Sequence, residues 1–203
     1  MDLIVLAACK DMGDTLTALL VRHEDLEIRP IETQVRVHPR HDPAVLRSSH
    51  DFLRSYQHVT SHALVAFDRH GCGRLDPRED LERSVETRLA QNGWGGRSAA
   101  IAIDPELEVW FWSDSPHVER ALGWVGGRAR LEKWLVEEGY LIQGQQKPHR
   151  PKEAVLNAWR LSKTQRSSSN YGDLAERVDF QHCTDPAFLK LRRVLKQWFP
   201  LEG

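Results

Sequence analysis

Three short apolar runs set the terms for this chain: "LIVLAA" at 3–8, "ALVAF" at 63–67 and "SAAIAI" at 98–103. A strand with one face in water alternates apolar and polar residues. A run that is apolar at nearly every position is a strand covered on both faces. Segments with helical spacing lie between the runs. Leu16, Leu19 and Leu20 follow the first run, Val45, Ser49, Phe52 and Tyr56 precede the second, and Leu81, Val85 and Leu89 precede the third. Buried strands alternating with helices predict an α/β fold, a mostly parallel sheet of about four strands flanked by helices. The remaining strand falls within 26–39, where Val35 and Val37 alternate with Arg36 and His38, and Pro30 marks it as an edge strand.

Helix starts are read from Asp and Pro. Asp14 is expected to cap the first helix, Asp42 with Pro43 the second, and Asp76 with Pro77 the helix over 76–93, which Gly93 ends. Asp104 with Pro105 opens a short apolar helix over 104–114. Trp110 and Trp112, two residues apart, face different sides of such a helix, which leaves one of them to cover the mouth of a site. The last third has no strand pattern. Helices are expected near 128–138, 151–162 and 186–198, with the Ser-rich "KTQRSSSNYGD" at 163–173 as a mobile loop. The chain therefore divides into an α/β domain over 1–125 and a helical extension over 126–203 packed on the same core.

At 203 residues, 40% of them hydrophobic, the chain can bury a sizeable core, and its formal net charge of −1 makes it no polycation. Cys9, Cys72 and Cys183 lie far apart with no C-x-x-C pair, which argues against a disulfide scaffold and for a reducing compartment. The six apolar residues after acidic Asp2 do not resemble a signal peptide, and no stretch reaches the roughly 18 apolar residues of a membrane span. The expectation is a soluble, cytoplasmic protein with no membrane partner.

In open parallel α/β sheets, ligands bind beyond the carboxyl ends of the strands. Three polar clusters are expected there: Cys9, Lys10, Asp11 and Asp14; Asp68, His70 and Cys72; Asp104, Glu106 and Glu108. Converging carboxylates need a neutralising cation, and oxygen donors favour Mg²⁺ or Mn²⁺. Asp68, Asp14 and Glu108 are the candidate metal ligands, and Asp68, Asp11, His70 and Glu106 the candidate catalytic groups. Structural readings stand beside these: Asp104 as a helix cap, Glu106 as a complement to a helix dipole, Asp68 as a cap for the turn at Gly71. His70, Cys72 and Cys9 fall one ligand short of a zinc site, and a Cys–His nucleophile pair is a further alternative.

Lys147, Arg150, Lys152, Arg160, Lys163 and Arg166 crowd into 147–166 against Glu153 alone. Such a segment either contacts nucleic-acid phosphates or is a solvated face. In 186–198, Phe188, Leu191, Leu195 and Trp198 form an apolar stripe opposite Lys190, Arg192, Arg193 and Lys196, which read as a solvated arc. No helix-turn-helix or similar motif is present, so contact with DNA or RNA would be made through phosphates rather than bases.

The acid-containing "DRHGCG" after one strand, followed by helix, strand and "IAIDPELEVWFWSD", resembles a TOPRIM-like family encoded beside restriction and other anti-phage genes, with components of methylation-associated defence systems among them. The residues that carry it are Asp68, Glu106, Glu108, Trp110 and Asp114, and it covers roughly 1–125. The resemblance implies a Rossmannoid fold, acids that hold Mg²⁺, nucleic acid as ligand, and partners encoded in the same defence gene cluster. The chain departs from the family pattern twice. No glutamate follows the first strand, which leaves Asp11 or Asp14 in its place, and His70 fills the second slot of the D-x-D after the third. The resemblance thus implies a degenerate subunit that binds nucleic acid or partner proteins, or alternatively an active Mg²⁺- or Mn²⁺-dependent nuclease or phosphoryl-transfer enzyme.

Overall fold

A computed structural model describes residues 1–113, 115–142, 144–178 and 183–201; Asp114 of the "IAIDPELEVWFWSD" segment lies outside the described residues. The sheet has four strands, β1 (Leu3–Ala7), β2 (Thr33–Val37), β3 (His62–Asp68) and β4 (Ser98–Ile103), all parallel, in the order β2-β1-β3-β4. Every residue of β1 and Ala63–Phe67 of β3 is fully buried, as strands covered on both faces must be. β2 is the half-exposed edge strand. Helices flank the sheet and fill the C-terminal part of the chain, so the fold is α/β and compatible with a Rossmann-like arrangement.

The helices are α1 (Lys10–Leu20), α2 (His23–Leu26), α3 (His41–Phe52), α4 (Arg78–Leu89), α5 (Pro116–Ala121), α6 (Gly127–Glu137), α7 (Pro151–Ser162), α8 (Ser168–Arg177) and α9 (Pro186–Trp198). A single hydrophobic cluster runs from β1 through Phe199, so the C-terminal helices share the core of the sheet. α8 packs on α1, α9 on β4, and α7 on the 3-10 turn Leu107–Trp110 that follows β4. Among the described residues no helix is long and apolar enough to cross a membrane.

Several local expectations are corrected. The Ser-rich segment is not a loop throughout. Ser167 caps α8 by accepting from the Ser169 N–H, and Tyr171, Leu174 and Ala175 bury its inner face. Asp14 lies inside α1, whose start falls at Lys10, and pairs with the Lys10 ammonium at 2.6 Å. Asp42 lies in the first turn of α3 but caps the neighbouring strand, its carboxylate accepting from the Asp68 N–H at 2.7 Å. Asp76 binds Arg74 at 2.7 Å, and α4 starts after Pro77 without a side-chain cap. Within the described part of the 104–114 segment, Leu107–Trp110 forms a 3-10 turn instead of an α-helix, and Asp104 pairs with Arg69 at 3.3 Å. Because the chain bends after that short turn, Trp110 and Trp112 both sink into the core. Trp110 donates to Asp185 at 2.8 Å and Trp112 to the Pro151 carbonyl at 3.1 Å, so neither covers a site mouth.

The outer edge of β4 is closed by side chains. Glu82 and Glu86 of α4 each place an Oε1 3.0 Å from a strand N–H, that of Ala102 and of Ala100 respectively. Lys190 of α9 bridges both carboxylates at 3.1 and 2.7 Å, and Arg78 reaches Glu82 at 2.7 Å. Strand donors that would otherwise recruit another chain are thereby satisfied.

Candidate functional site

β1 and β3 lie side by side at the middle of the sheet, where the strand order reverses and the crossovers diverge. The carboxyl ends of these strands carry Cys9 and Asp68. Asp68 is the last residue of β3 and 7% exposed. Its Oδ1 accepts from the Leu107 N–H at 2.9 Å, which fastens the segment after β4 to the end of β3. Its own N–H goes to Asp42, and the close approach of Asp42 requires Gly71: a Cβ there would stand 2.7 Å from Asp42 Oδ2. Burial, then the negative charges of Asp42 and Glu108, push the Asp68 carboxyl well above the usual carboxylate range. Lys152 and the Leu107 N–H act in the opposite sense.

Glu108 sits in the 3-10 turn and is 2% exposed. The Tyr171 hydroxyl of α8 donates to its Oε1 at 2.8 Å, and the Lys152 ammonium of α7 stands 4.0 Å from the same oxygen. Oε2 is buried and has no hydrogen-bond partner. Burial raises the Glu108 pKa, and it raises that of Tyr171 further, helped by the Glu108 charge. Burial works against the charge of Lys152, but Glu108, Asp68 and Glu106 outweigh it and hold the ammonium pKa above its ordinary value. Cys9 is pushed up to about 11, chiefly by burial.

The remaining expected residues have other partners. Glu106 accepts from the Lys152 N–H at 3.1 Å, satisfying a free donor in the first turn of α7. Asp11 accepts from Ser168 at 2.6 Å and from Arg166 at 3.2 Å, tying the start of α8 to α1. Asp14 is held by Lys10. His70 is exposed, and its backbone N–H donates to the Pro105 carbonyl. Asp68 and Glu108 therefore share one centre with Lys152, on which the Glu106 charge also acts, while Asp11 and Asp14 are paired elsewhere and His70 is exposed. Among the described residues no three His, Cys, Asp or Glu side chains are grouped to hold a metal ion. Asp68 Oδ1 and Glu108 Oε1 are already engaged by an N–H group, a hydroxyl and an ammonium, whereas Glu108 Oε2 has no hydrogen-bond partner.

Of the six cations in 147–166, Arg150 pairs with Glu153 at 2.8 Å, Lys152 with Glu108, and Arg166 with Asp11. Arg160 and Lys163 are exposed, and Lys147 lies near the Cys183 thiol. In α9, Lys190 serves the β4 edge, and Arg192 and Lys196 both bind Glu27, so that arc is largely ion-paired. Tyr171 was not legible as a site residue, since its segment reads as a loop. Its spacing to Leu174 and Ala175 is the signal that exposes it.

Compared with protein-family models, with curated proteins and with solved structures, the chain matches none of them.

Proposed function

We propose that this chain serves an anti-phage defence system as a degenerate TOPRIM-like subunit, one that binds nucleic acid or partner proteins and does not turn over a substrate through a divalent metal. The observation that carries this reading is Lys152: an ammonium from α7 stands 4.0 Å from Glu108 and among the charges of Asp68 and Glu106, so the acidic rim is neutralised from within. The departures at Asp11, Asp14 and His70 from the family pattern support the same reading, and the defence context rests on the "DRHGCG" and "IAIDPELEVWFWSD" resemblance. A ligand bound only by the folded state must raise the melting midpoint. The expected result is a midpoint unmoved by millimolar Mg²⁺ or Mn²⁺. A rise of several degrees that disappears in Asp68→Asn overturns the proposal. That variant is suited to the test because an asparagine Oδ1 can still accept from Leu107.

One observation favours the enzymatic reading: Glu108 Oε2 is a buried acceptor without a partner. On that reading a DNA or RNA substrate is cleaved in a Mn²⁺-dependent manner, and the activity is lost in Asp68→Asn.

A further inference from the structure

The cations of 147–166 fall into two sets. Arg150, Lys152 and Arg166 are engaged by carboxylates, whereas Arg160 and Lys163 meet none among the described residues. These two bracket Leu161 and Ser162 at the end of α7. Leu161 and Ser162 face Trp124, Val125, Arg130 and Trp134 across an open groove of about 600 Å³. Arg130 likewise has no carboxylate partner among the described residues; the ion pair in the groove is Lys133–Glu137 at 3.6 Å. The two indoles lie with ring centroids 4.9 Å apart, and the aliphatic walls are open to solvent, Val125 79% and Leu161 56% exposed.

We infer that this groove binds single-stranded nucleic acid, with bases against the indoles and aliphatic walls and phosphates against Arg130 in its lining and against Arg160 and Lys163, which flank the lining residues Leu161 and Ser162 along the chain. Stacking surfaces combined with cations are what a strand with free base faces requires. A duplex hides those faces. The inference names the ligand for the binding reading above, but it stands on a different surface. Metal melts test the rim and oligonucleotide titrations test the groove, so either can fail alone.

The test is fluorescence anisotropy of a labelled oligo(dT) of about 15 nucleotides, within the range of known single-strand sites. Wild type is expected to bind it at low salt and to bind a duplex of equal length at least tenfold more weakly. Arg160→Ala with Lys163→Ala is expected to lose about tenfold in affinity and to flatten the slope of log affinity against log salt by about 0.7 per cation removed. Trp124→Ala should lose a further factor of about ten by removing one stacking surface. Trp124 is half-buried, so the exposed charge variants carry the test if that one fails to fold. No binding, equal binding to duplex, or unchanged affinity in the charge variants overturns the inference. In the first of these outcomes the groove passes to a protein partner.

Discussion

Two lysines reach into pairs of acids in this molecule, and they do so differently. Lys190 lies 3.1 and 2.7 Å from Glu82 and Glu86, and those carboxylates also accept from strand N–H groups and from Arg78. Lys152 stands off at 4.0 Å from Glu108, which keeps an unpartnered Oε2, while Asp68 beside it is driven towards its neutral form. The first arrangement closes a sheet edge and leaves nothing over. The second holds charge under tension at the place where α/β sheets bind ligands. A carboxylate that builds structure is recognised by how completely its oxygens are engaged.

The comparison can be broken most forcefully at the β4 edge. Glu82→Ala leaves the Ala102 N–H without an acceptor and removes a partner from Arg78 and Lys190. Taking one member from a buried ionic network costs about 3 kcal/mol or more, read by urea unfolding. A loss below about 1 kcal/mol would show that the edge does not depend on this carboxylate.

Lys152→Met addresses the rim, with a smaller and pH-dependent effect. Asp68 and Glu108 have folded pKa values raised above their unfolded ones. Their contribution is therefore fully present below the unfolded values, about 4, and is lost as pH rises through the raised ones. Without the ammonium both carboxyls shift higher still. The variant should match wild type near pH 4 and fall behind by about 1 kcal/mol at pH 8, a figure discounted because the Lys152 side chain is 40% exposed. Melting midpoints across that range check it, and a deficit independent of pH would assign Lys152 a packing role only. Smallest of all, Lys10→Ala removes an exposed i,i+4 pair with Asp14 and should cost less than about 0.5 kcal/mol by the same unfolding assay.

The strands were legible because covering both faces of a sheet demands unbroken apolar runs, and the edge character of β2 because Pro30 and the alternation around Val35 betray one wet face. Asp68 and Glu108 were legible as candidates because acids at or just beyond the ends of buried strands have few structural reasons to be there. Their partners were not. Lys152 and Tyr171 come from helices far along the chain, and no local pattern says which cation returns to which acid. The Asp caps failed for a related reason: Asp42 and Asp76 have the right chemistry to cap their own helices, but a strand N–H and an arginine bind them instead. The start of α8 was hidden because three consecutive serines look like a linker unless Ser167 is read as a cap.

The closure of β4 also imposes an order on folding during synthesis. α9, which carries Lys190 to Glu82 and Glu86, follows every strand in the chain. Until that helix clears the ribosome, Glu82 has only Arg78 to neutralise it and Glu86 lacks the Lys190 ammonium. The nascent sheet therefore passes through a period in which its last strand is covered by α4 alone, without α9 packed against it.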